Sequence, residues 1–319
     1  MRSYWIMQSE RGLELEPREV ATPQPKEGQL LVKVRATSFN RGELLTGHGA
    51  FDPRGKPAGI ECAGEIVAGG AGFAAGERVM GRCVGGFAEY SLMDAREAMR
   101  MPPRLSWEQA AAIPLAFMVA HDMLVAHGRV ERGEWVLITG VSSGVGVASL
   151  QVGKALGTSV IGTSGSEQKL AKLAELGLDV GVTTRSGGFH DAAMKATAGR
   201  GVDLVVNAVG GTVFAECIRS LGYEGRLATV GYLDRTLKAE IDLEALHAKR
   251  LHLFGVSNKL RPAAERAQTV RAFEKDLLPY FADGRIVPVV DRVFAFEDLA
   301  AAHAYFDSGA FIGKVVVRM

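Results

Sequence analysis

The fold is decided by residues 135–146, which read WVLITGVSSGVG. The first five, 135–139, are almost wholly apolar, as in a β-strand that is covered on both faces of a sheet. A glycine-rich turn follows and leads into a helix predicted over 144–156. Such a turn lets a phosphate approach the backbone N–H groups at the N-terminus of a helix. The stretch therefore predicts a dinucleotide site formed by Gly140, Ser142, Ser143, Gly144, Val145 and Gly146.

The spacing of this turn is GxxxGxG, whereas dinucleotide-binding turns commonly read GxGxxG. A turn that only packs a strand against a helix is the alternative interpretation. The surrounding pattern favours the cofactor site, because further apolar strands alternate with helices at 159–163, 179–183, 203–209, 226–231 and 251–256. Six strands with helical crossovers predict an α/β fold with a doubly wound parallel sheet, the Rossmann arrangement.

The end of the second strand indicates which dinucleotide is bound. Binders of NAD carry an acidic residue there for the ribose 2′-hydroxyl. Here the strand ends in hydroxyls and glycine, with Ser164 and Gly165, and Lys169 follows one helical turn later. Hydroxyls and a lysine suit a 2′-phosphate, so the segment predicts NADPH. Glu167 acts against this prediction, and a solvated lysine on a helix face is the alternative.

The residues before the Rossmann segment read as short strands with turns, at 30–36, 64–68, 77–81 and 86–91. This spacing predicts an antiparallel, barrel-like domain. After residue 257 the chain predicts a helix over 262–283, a strand over 288–294, a helix over 296–308 and a strand over 314–317. We expect this tail to return to the first part. The predicted domains are 1–118 and 119–257, with 258–319 completing the first.

Composition excludes several classes of protein. The 319 residues carry 37 basic and 36 acidic side chains, a net charge of +1, which gives no support for a nucleic-acid binder. No apolar stretch reaches the length of about 20 residues that spans a bilayer, and no apolar signal core opens the chain. Three distant cysteines do not form a disulfide framework. A cytoplasmic enzyme without membrane or nucleic-acid partners is therefore expected.

Four stretches together resemble the medium-chain dehydrogenase/reductase superfamily: AAAIPL at 110–115, the turn at 140–146, GRGVDLV at 199–205 and GKVVV at 313–317. Within it the chain is most similar to the zinc-free quinone oxidoreductases of the zeta-crystallin type and their enoyl-reductase relatives. The resemblance implies a GroES-like first domain, a Rossmann domain that binds NADPH, and a homodimer joined through the edges of the Rossmann sheets.

The resemblance also bears on zinc. Zinc-dependent relatives carry a Gly-His-Glu motif, and residues 59–64 read GIECAG, with Ile60 in the place of the histidine. Residues 38–43, SFNRGE, have no cysteine near the first ligand position, and the four close cysteines of a structural site are missing. Cys62, Glu61 and His48 are an alternative ligand set, but a core cysteine and a loop histidine are the simpler interpretation. We expect no metal.

Without a metal, a conjugated acceptor needs a positioned hydrogen-bond donor. By resemblance Asn40 is the first candidate for this role, with a structural turn as the alternative. Tyr232 is the second candidate, because it follows the end of a strand, where ligands of such sheets bind, although relatives commonly have smaller residues there. His121 and His48 are weaker candidates for an acid. The residues that match contacts on the nicotinamide side, or on the 2′-phosphate in the case of Thr184, are Thr184, Asn207, Val209, Val230, Gly231, Tyr232, Phe254, Gly255, Val256 and Asn258.

The predicted function is zinc-independent, NADPH-dependent reduction of a quinone or an α,β-unsaturated carbonyl. Reduction of an enoyl thioester is the alternative within the enzymes. A non-catalytic protein that binds NADPH, crystallin-like or regulatory, is the alternative from a different class.

Overall fold

The computed structural model describes residues 1–9, 12–43 and 54–319. The chain forms two compact units. One comprises residues 1–115 and 263–319, and the other comprises residues 116–262. No helix among the described residues is both long and apolar enough to cross a bilayer.

The first segment of the chain is mainly antiparallel β-structure. Its elements are β1 (Arg2–Ser9), β2 (Gly12–Glu19), β3 (Gln29–Ser38), β4 (Lys56–Pro57), β5 (Glu61–Ala68), β6 (Arg78–Arg82), β7 (Tyr90–Asp94), β8 (Ala98–Arg100) and α1 (Trp107–Ala111). A 3₁₀ turn, Arg41–Glu43, follows β3. Three of the four predicted strands match β3, β5 and β6, but the prediction of a strand over 86–91 was wrong. The N–H groups of Gly86 and Phe87 donate to the carbonyls of Gly59 and Ala58. Residues 86–89 therefore form a loop, and only 90–91 belong to a strand, β7, which starts at Tyr90.

The middle segment alternates helices with strands, as the sequence predicted. Its elements are α2 (Ala116–His121), a π-helical turn (Asp122–Ala126), β9 (Trp135–Thr139), α3 (Gly144–Leu156), β10 (Ser159–Ser164), α4 (Glu167–Ala174), β11 (Val180–Thr183), α5 (His190–Ala196), β12 (Val202–Asn207), α6 (Phe214–Ser220), β13 (Leu221–Thr229), α7 (Leu243–Ala248) and β14 (His252–Gly255).

These six strands form one parallel sheet in the order β11-β10-β9-β12-β13-β14. The predicted α/β class with a Rossmann sheet is thereby confirmed. From β9 the chain proceeds outward to β11 on one side and then to β14 on the other, so the strand order reverses beside β9. Val136, Leu137 and Ile138 of that central strand are fully buried. Ligands of such sheets bind at the carboxyl ends of the strands next to this reversal.

The last segment returns to the first unit. Its elements are α8 (Ala263–Asp276), α9 (Leu278–Ala282), β15 (Val290–Ala295), α10 (Leu299–Ser308) and β16 (Lys314–Arg318). The single helix predicted over 262–283 was wrong, because the chain breaks at Leu277. Pro279 lies in the first turn of α9, where its missing N–H costs no helical hydrogen bond. β16 lies between β15 and β3 in a seven-stranded sheet, and β2, β1 and β4 form a separate small one.

Candidate dinucleotide site

The glycine-rich turn joins β9 to α3 and presents backbone N–H groups at the start of the helix. Ser143 caps α3, and its Oγ accepts from the Gly146 N–H at 3.1 Å. The N–H groups of Gly144 and Val145 belong to the first helical turn, where no helical carbonyl reaches them. Both residues are half-buried, so a ligand can approach them. The turn therefore offers N–H donors to an anion at the positive end of the helix dipole.

Close packing of backbone against backbone fixes the shape of this turn. A Cβ atom on Gly146 would lie 2.5 Å from the Gly140 carbonyl oxygen and 2.7 Å from Val141 Cα. Any larger residue would therefore push the helix away from the turn. Gly140 itself has a φ of +67°, a conformation that favours glycine. Its N–H donates to Thr163 Oγ1 at 3.1 Å, which ties the turn to β10.

The end of β10 carries hydroxyls and a guanidinium group. Ser164 Oγ lies 3.4 Å from Ser142 Oγ, so this strand end meets the turn. The side chain of Arg185 lies directly over Gly165: a Cβ on that glycine would be 2.7 Å from Arg185 Nε and 2.8 Å from Cζ. Lys169, half-buried, lies in the first turn of α4, and its N–H donates to the capping Ser166 Oγ at 3.4 Å. The place where NAD binders carry a carboxylate is thus covered by a cation.

Thr184, which was predicted to contact the 2′-phosphate, lies directly after β11. Its hydroxyl donates to the Gly187 carbonyl and accepts from the N–H groups of Ser186 and Gly187, each at 3.3 Å. The hydroxyl is therefore engaged within its own loop. Thr184 shapes the segment that carries Arg185, and a direct contact with a 2′-phosphate stays a prediction.

Asn207 organises the loop that follows β12. It is fully buried; its Nδ2 donates to the Gly210 carbonyl at 3.0 Å, and its Oδ1 accepts from the Val209 and Gly210 N–H groups at 3.1 and 3.0 Å. Thr139 Oγ1 lies 3.1 Å from the same Oδ1 and accepts from the Ala208 N–H at 3.0 Å. The Asn207 side chain therefore holds the loop in shape, and the loop's backbone is what it can offer to a ligand.

Asp234 fastens the loop after β13 to the loop after β12. Its carboxylate accepts from the Thr212 N–H at 2.8 Å, the Thr212 hydroxyl at 2.6 Å and the Thr236 N–H at 2.8 Å. Its own N–H donates to the Val209 carbonyl at 2.9 Å. Burial raises the pKa of this carboxyl, but the hydrogen bonds from Thr212 and Thr236 outweigh burial and the pKa is lowered. A charged Asp234 therefore holds both loops together at neutral pH.

Apolar side chains stand next to the glycine-rich turn. The position of a Cβ on Gly140 lies 3.6 Å from Leu233 Cδ1 and 3.7 Å from Val209 Cγ2. Tyr232 and Leu233 are each 44% exposed. A Cβ on Gly231 would lie 3.1 Å from the Ala208 carbonyl oxygen, so the two loops approach each other closely. This end of the site is apolar, whereas the end at β10 is cationic.

The predicted residues after β14 lie at the same edge of the sheet. The Val256 N–H donates to the Thr229 carbonyl at 2.9 Å and extends the strand pairing beyond Gly255. The Phe254 ring tilts against His127 with the ring centres 5.6 Å apart, and Asn258 is half-buried. Because all six strands are parallel, the predicted positions at 140–146, 164–169, 207–209, 230–232 and 254–258 share one edge.

Asn40 belongs to the other unit, where it is part of a buried polar cluster of Ser38, Asn40, Glu61 and Lys314, here called the Glu61 cluster. Glu61 is fully buried, and its Oε1 accepts from Lys314 Nζ at 2.9 Å, from Asn40 Nδ2 at 2.6 Å and from the Ser38 hydroxyl. Its Oε2 accepts from the Leu115 N–H at 2.8 Å. Four donors and a full opposite charge thus compensate the buried carboxylate.

Lys314 is equally well compensated. Its ammonium also donates to the Phe39 carbonyl at 2.8 Å and to Asn40 Oδ1 at 2.9 Å, so all three of its protons are used. The Asn40 amide lies between the two charges and bonds to both. We therefore interpret Asn40 as a residue that orders the cluster, and its predicted contact with a substrate stays a prediction.

Two residues of the alternative ligand set, Cys62 and Glu61, are buried on β5. His48 lies outside the described residues, and the described residues contain no group of three or more His, Cys, Asp or Glu side chains placed to hold a metal. The hydrogen bond with Cys83, followed by burial, raises the pKa of the Cys62 thiol. Burial does the same for Cys217. Both cysteines are buried in the core, and a raised pKa disfavours the reactive thiolate. His121 is 1% exposed.

Sequence reasoning missed several residues that shape the two sites. Arg185, next to Thr184, was predicted only as a cation that could replace Lys169 at the 2′-phosphate. Thr139, Asp234 and Lys314 were not predicted at all. Asp234 had a local signal, a carboxylate two residues after the Gly231-Tyr232 pair at the end of a strand. Lys314 lies 253 residues from Glu61, so no local pattern could have paired them.

Two family models match the chain. Residues 26–103 match the alcohol dehydrogenase GroES-like domain, and residues 144–274 match the zinc-binding dehydrogenase model. The human quinone oxidoreductase is 28% identical over 312 residues, which cover 94% of this chain and 92% of that protein.

A second relative is much longer. A phenolphthiocerol/phthiocerol polyketide synthase of Mycobacterium tuberculosis is 30% identical over 311 residues, 96% of this chain, and the chain spans 14% of its length. Among solved structures, the mycobacterial protein Rv1454c in complex with NADPH has a TM-score of 0.88 at 24% identity, with both chains fully covered. At that identity the likeness concerns the fold.

Proposed function

Since the chain belongs to the medium-chain dehydrogenase/reductase superfamily, in its branch of quinone oxidoreductases and enoyl reductases, we propose that it is an NADPH-dependent reductase. Its acceptor in this proposal is a quinone or an α,β-unsaturated carbonyl. The observation that carries the proposal is the edge of the six-stranded sheet, where an anion cradle, a cationic end and an apolar end are built side by side. NAD(P)H is the cofactor class that suits these surroundings, because it combines phosphates with a ribose and a nicotinamide ring.

The residues fit NADPH in particular. The turn has no room for a Cβ atom at Gly146, so backbone lies close to backbone there, which suits the close approach of a pyrophosphate. At the end of β10, Arg185 covers Gly165, Ser164 precedes this glycine, and Lys169 lies in the first turn of α4. Guanidinium and ammonium groups are the preferred partners of a phosphate. These three side chains would hold the 2′-phosphate, and the NADPH complex of the mycobacterial protein, which shares the fold, agrees with this choice.

NADPH, when bound, supplies the hydride. The protein contributes position and surroundings. The loop backbone held by Asn207 and Asp234 can orient a carboxamide, and Val209 and Leu233 offer apolar contacts beside Gly140. A conjugated acceptor spreads the incoming charge onto its oxygen, which needs a hydrogen-bond donor. Tyr232 is exposed on this loop and is the donor that we propose on the Rossmann side.

We expect no metal to take part. Ile60 stands where zinc-dependent relatives have a histidine ligand, and Glu61 is already compensated by Lys314. Elemental analysis of the purified chain tests this expectation; one tightly bound zinc per chain would contradict it.

Reduction of an enoyl thioester is the second candidate, because the mycobacterial polyketide synthase is 30% identical over nearly the whole chain. A chain without turnover that only binds NADPH is the third. One experiment separates them: the loss of NADPH absorbance is followed with a panel of quinones, enones and enoyl thioesters. Turnover of quinones or simple enones supports the main proposal, and turnover of thioesters alone favours the second. Binding of NADPH without turnover of any acceptor favours the third.

We also propose that the chain forms a homodimer and is located in the cytoplasm. β14 is the edge strand of the six-stranded sheet, and pairing of this edge with a second copy would give the homodimer expected from the sequence. Light scattering of the purified chain tests it. All three cysteines are buried and unpaired, which suits a reducing compartment such as the cytoplasm.

A further inference from the structure

The loop after β14 follows the last strand end of the six-stranded sheet. β14 is an edge strand that pairs with β13, so the sheet holds it from one side. The Val256 N–H continues this pairing through the Thr229 carbonyl, whereas the following residues leave the sheet and Leu260 is 91% exposed. Ligands of such sheets bind at strand ends, and Asn258 in this loop is a predicted cofactor residue. Its position therefore depends on contacts outside the sheet.

Arg261 connects this loop to a buried carboxylate. Its Nη1 donates to Asp122 Oδ2 at 2.6 Å, and the side chains of Arg261 and Asp122 are 20% and 8% exposed. A carboxylate buried to this extent needs a compensating charge. The Arg261 N–H donates to the Asn258 carbonyl at 3.4 Å, and Ser257 Oγ accepts from the Lys259 N–H at 3.1 Å. The loop is thus a compact turn that is anchored through its arginine.

Asp122 belongs to an unusual helical turn. Residues Asp122–Ala126 form the π-helical turn after α2, and the His127 N–H donates to the Asp122 carbonyl at 3.1 Å. Turns of this kind are rare and frequently lie at functional sites. The ring of His127, which ends the turn, packs against Phe254 of β14. The π-helical turn therefore contacts both β14 and the loop that follows it, and all of these residues lie in the unit 116–262.

We propose that Asp122 and Arg261 are positioning residues for the dinucleotide, and that their ion pair holds residues 256–261 in the arrangement that binds it. The inference rests on the proposed function, which supplies the cofactor. The side chains proposed for the 2′-phosphate follow β10 and β11, which lie on the other side of β9 from β14. The ion pair should therefore matter equally for NADPH and NADH.

Loss of the ion pair should act through the population of the ordered loop. Only the chains whose loop is in place bind the cofactor, so the apparent dissociation constant rises by the inverse of their fraction. A hydrogen bond to a charged group changes an equilibrium by about 10–100-fold. The contact between Phe254 and His127 remains in place, so we expect the lower end, about 10-fold, for either cofactor.

The decisive variant is Asp122→Asn, which keeps the shape of the side chain and removes its charge. Titration of the cofactor-free protein, followed by the fluorescence of the reduced cofactor, should show both NADPH and NADH weakened about 10-fold with their ratio unchanged. Arg261→Lys keeps the positive charge and should retain part of the affinity. The double variant Asp122→Asn/Arg261→Gln buries no charge and should bind like Asp122→Asn alone, because both substitutions remove one contact.

The matched control is Glu224→Gln, in the same unit. It loses an ion pair with Arg250 in which both side chains are more than half exposed, so it should bind both cofactors as the wild type does.

A second measurement reads the loop without cofactor or turnover. Trypsin can cleave this loop after the exposed Lys259, whereas Arg261 precedes a proline and resists cleavage. Cleavage tracks the open population, so cofactor-free Asp122→Asn should be cut at Lys259 about 10-fold faster than the wild type. Saturating NADPH should slow the cut in both proteins.

A folded Asp122→Asn that binds both cofactors like the wild type would overturn the assignment, whatever the cleavage shows. A loss confined to NADPH would overturn it too, because the pair would then act on the 2′-phosphate. If Asp122→Asn does not fold, the double variant decides by the same two outcomes. A wild type that binds neither cofactor would refute the proposed function itself.

Discussion

Replacement of Lys314 by methionine should strongly destabilise the unit that contains the β-rich segment. Methionine fills a similar volume but leaves Glu61 with no opposite charge, and Glu61 is fully buried. Removal of one partner from a buried ion pair costs about 3–5 kcal/mol, because the remaining charge is uncompensated. The Ser38, Asn40 and Leu115 donors remain, so we expect the lower half of this range.

Urea unfolding measures the effect, and tryptophan fluorescence can be confined to the affected unit. Trp5 and Trp107 lie in it, whereas Trp135 begins β9 of the other unit, so the variants are made in a Trp135→Phe background. Addition of Glu61→Gln to Lys314→Met should recover most of the lost free energy, since no charge then remains buried. A loss below about 1 kcal/mol, the range of exposed ion pairs, would refute the reasoning. So would a double variant no more stable than Lys314→Met.

The remaining predictions concern the cofactor and Glu43. Arg185→Ala and Lys169→Ala should each weaken NADPH by about 10–100-fold and leave NADH nearly unchanged, because a hydrogen bond to a charged group contributes about 1.5–3 kcal/mol; titration of both cofactors at fixed salt measures this, and equal wild-type affinities would contradict it. Gly146→Ala should abolish binding of either cofactor, since its Cβ meets the turn at 2.5 Å, while Gly70→Ala, with open space around it, serves as the control in the same fluorescence titration. Burial raises the pKa of Glu43, in the 3₁₀ turn after β3, from 4.5 to about 7 in the folded state. The protonated carboxyl therefore favours the folded state fully below pH 4.5, and this stabilisation is lost as the pH rises through 7. At about 1.4 kcal/mol per pKa unit, Glu43→Gln should therefore gain up to about 3 kcal/mol in free energy of unfolding over the wild type between these values; an equal pH dependence of both proteins in urea titrations would contradict it.

Local pattern predicted the Rossmann unit well. The apolar run at 135–139 is β9 and the helix predicted over 144–156 is α3, because a strand buried on both faces and a glycine turn both leave strong local signals. The hairpin of β1 and β2 was overlooked, although residues 12–16, GLELE, alternate apolar and acidic side chains. The break before Pro279 was overlooked as well.

The site was predictable only where its residues follow strand ends. The positions at 140–146 came from that rule, whereas those at 207–209 came from the family resemblance. The structure places both sets at one sheet edge. The roles of individual side chains were not predictable. The side chains of Asn207 and Thr184 make hydrogen bonds within their own loops. Arg185, after β11, covers Gly165, which follows the neighbouring strand β10. Such contacts depend on three-dimensional distances, which cannot be read from the spacing of residues along the sequence.

The position of β16 affects the order in which parts of the protein can fold during synthesis on the ribosome. This strand lies inside the seven-stranded sheet, between β15 and β3, and it carries the Lys314 that compensates Glu61. Residues 1–115 therefore emerge long before the strand that completes their sheet, whereas residues 116–262 are contiguous and can fold as they emerge. Until 314–318 arrive, residues 36–38 of β3 lack their strand partner and Glu61 lacks its cation. Pairing over such a separation is slow, so this interval is when the chain most needs protection from aggregation.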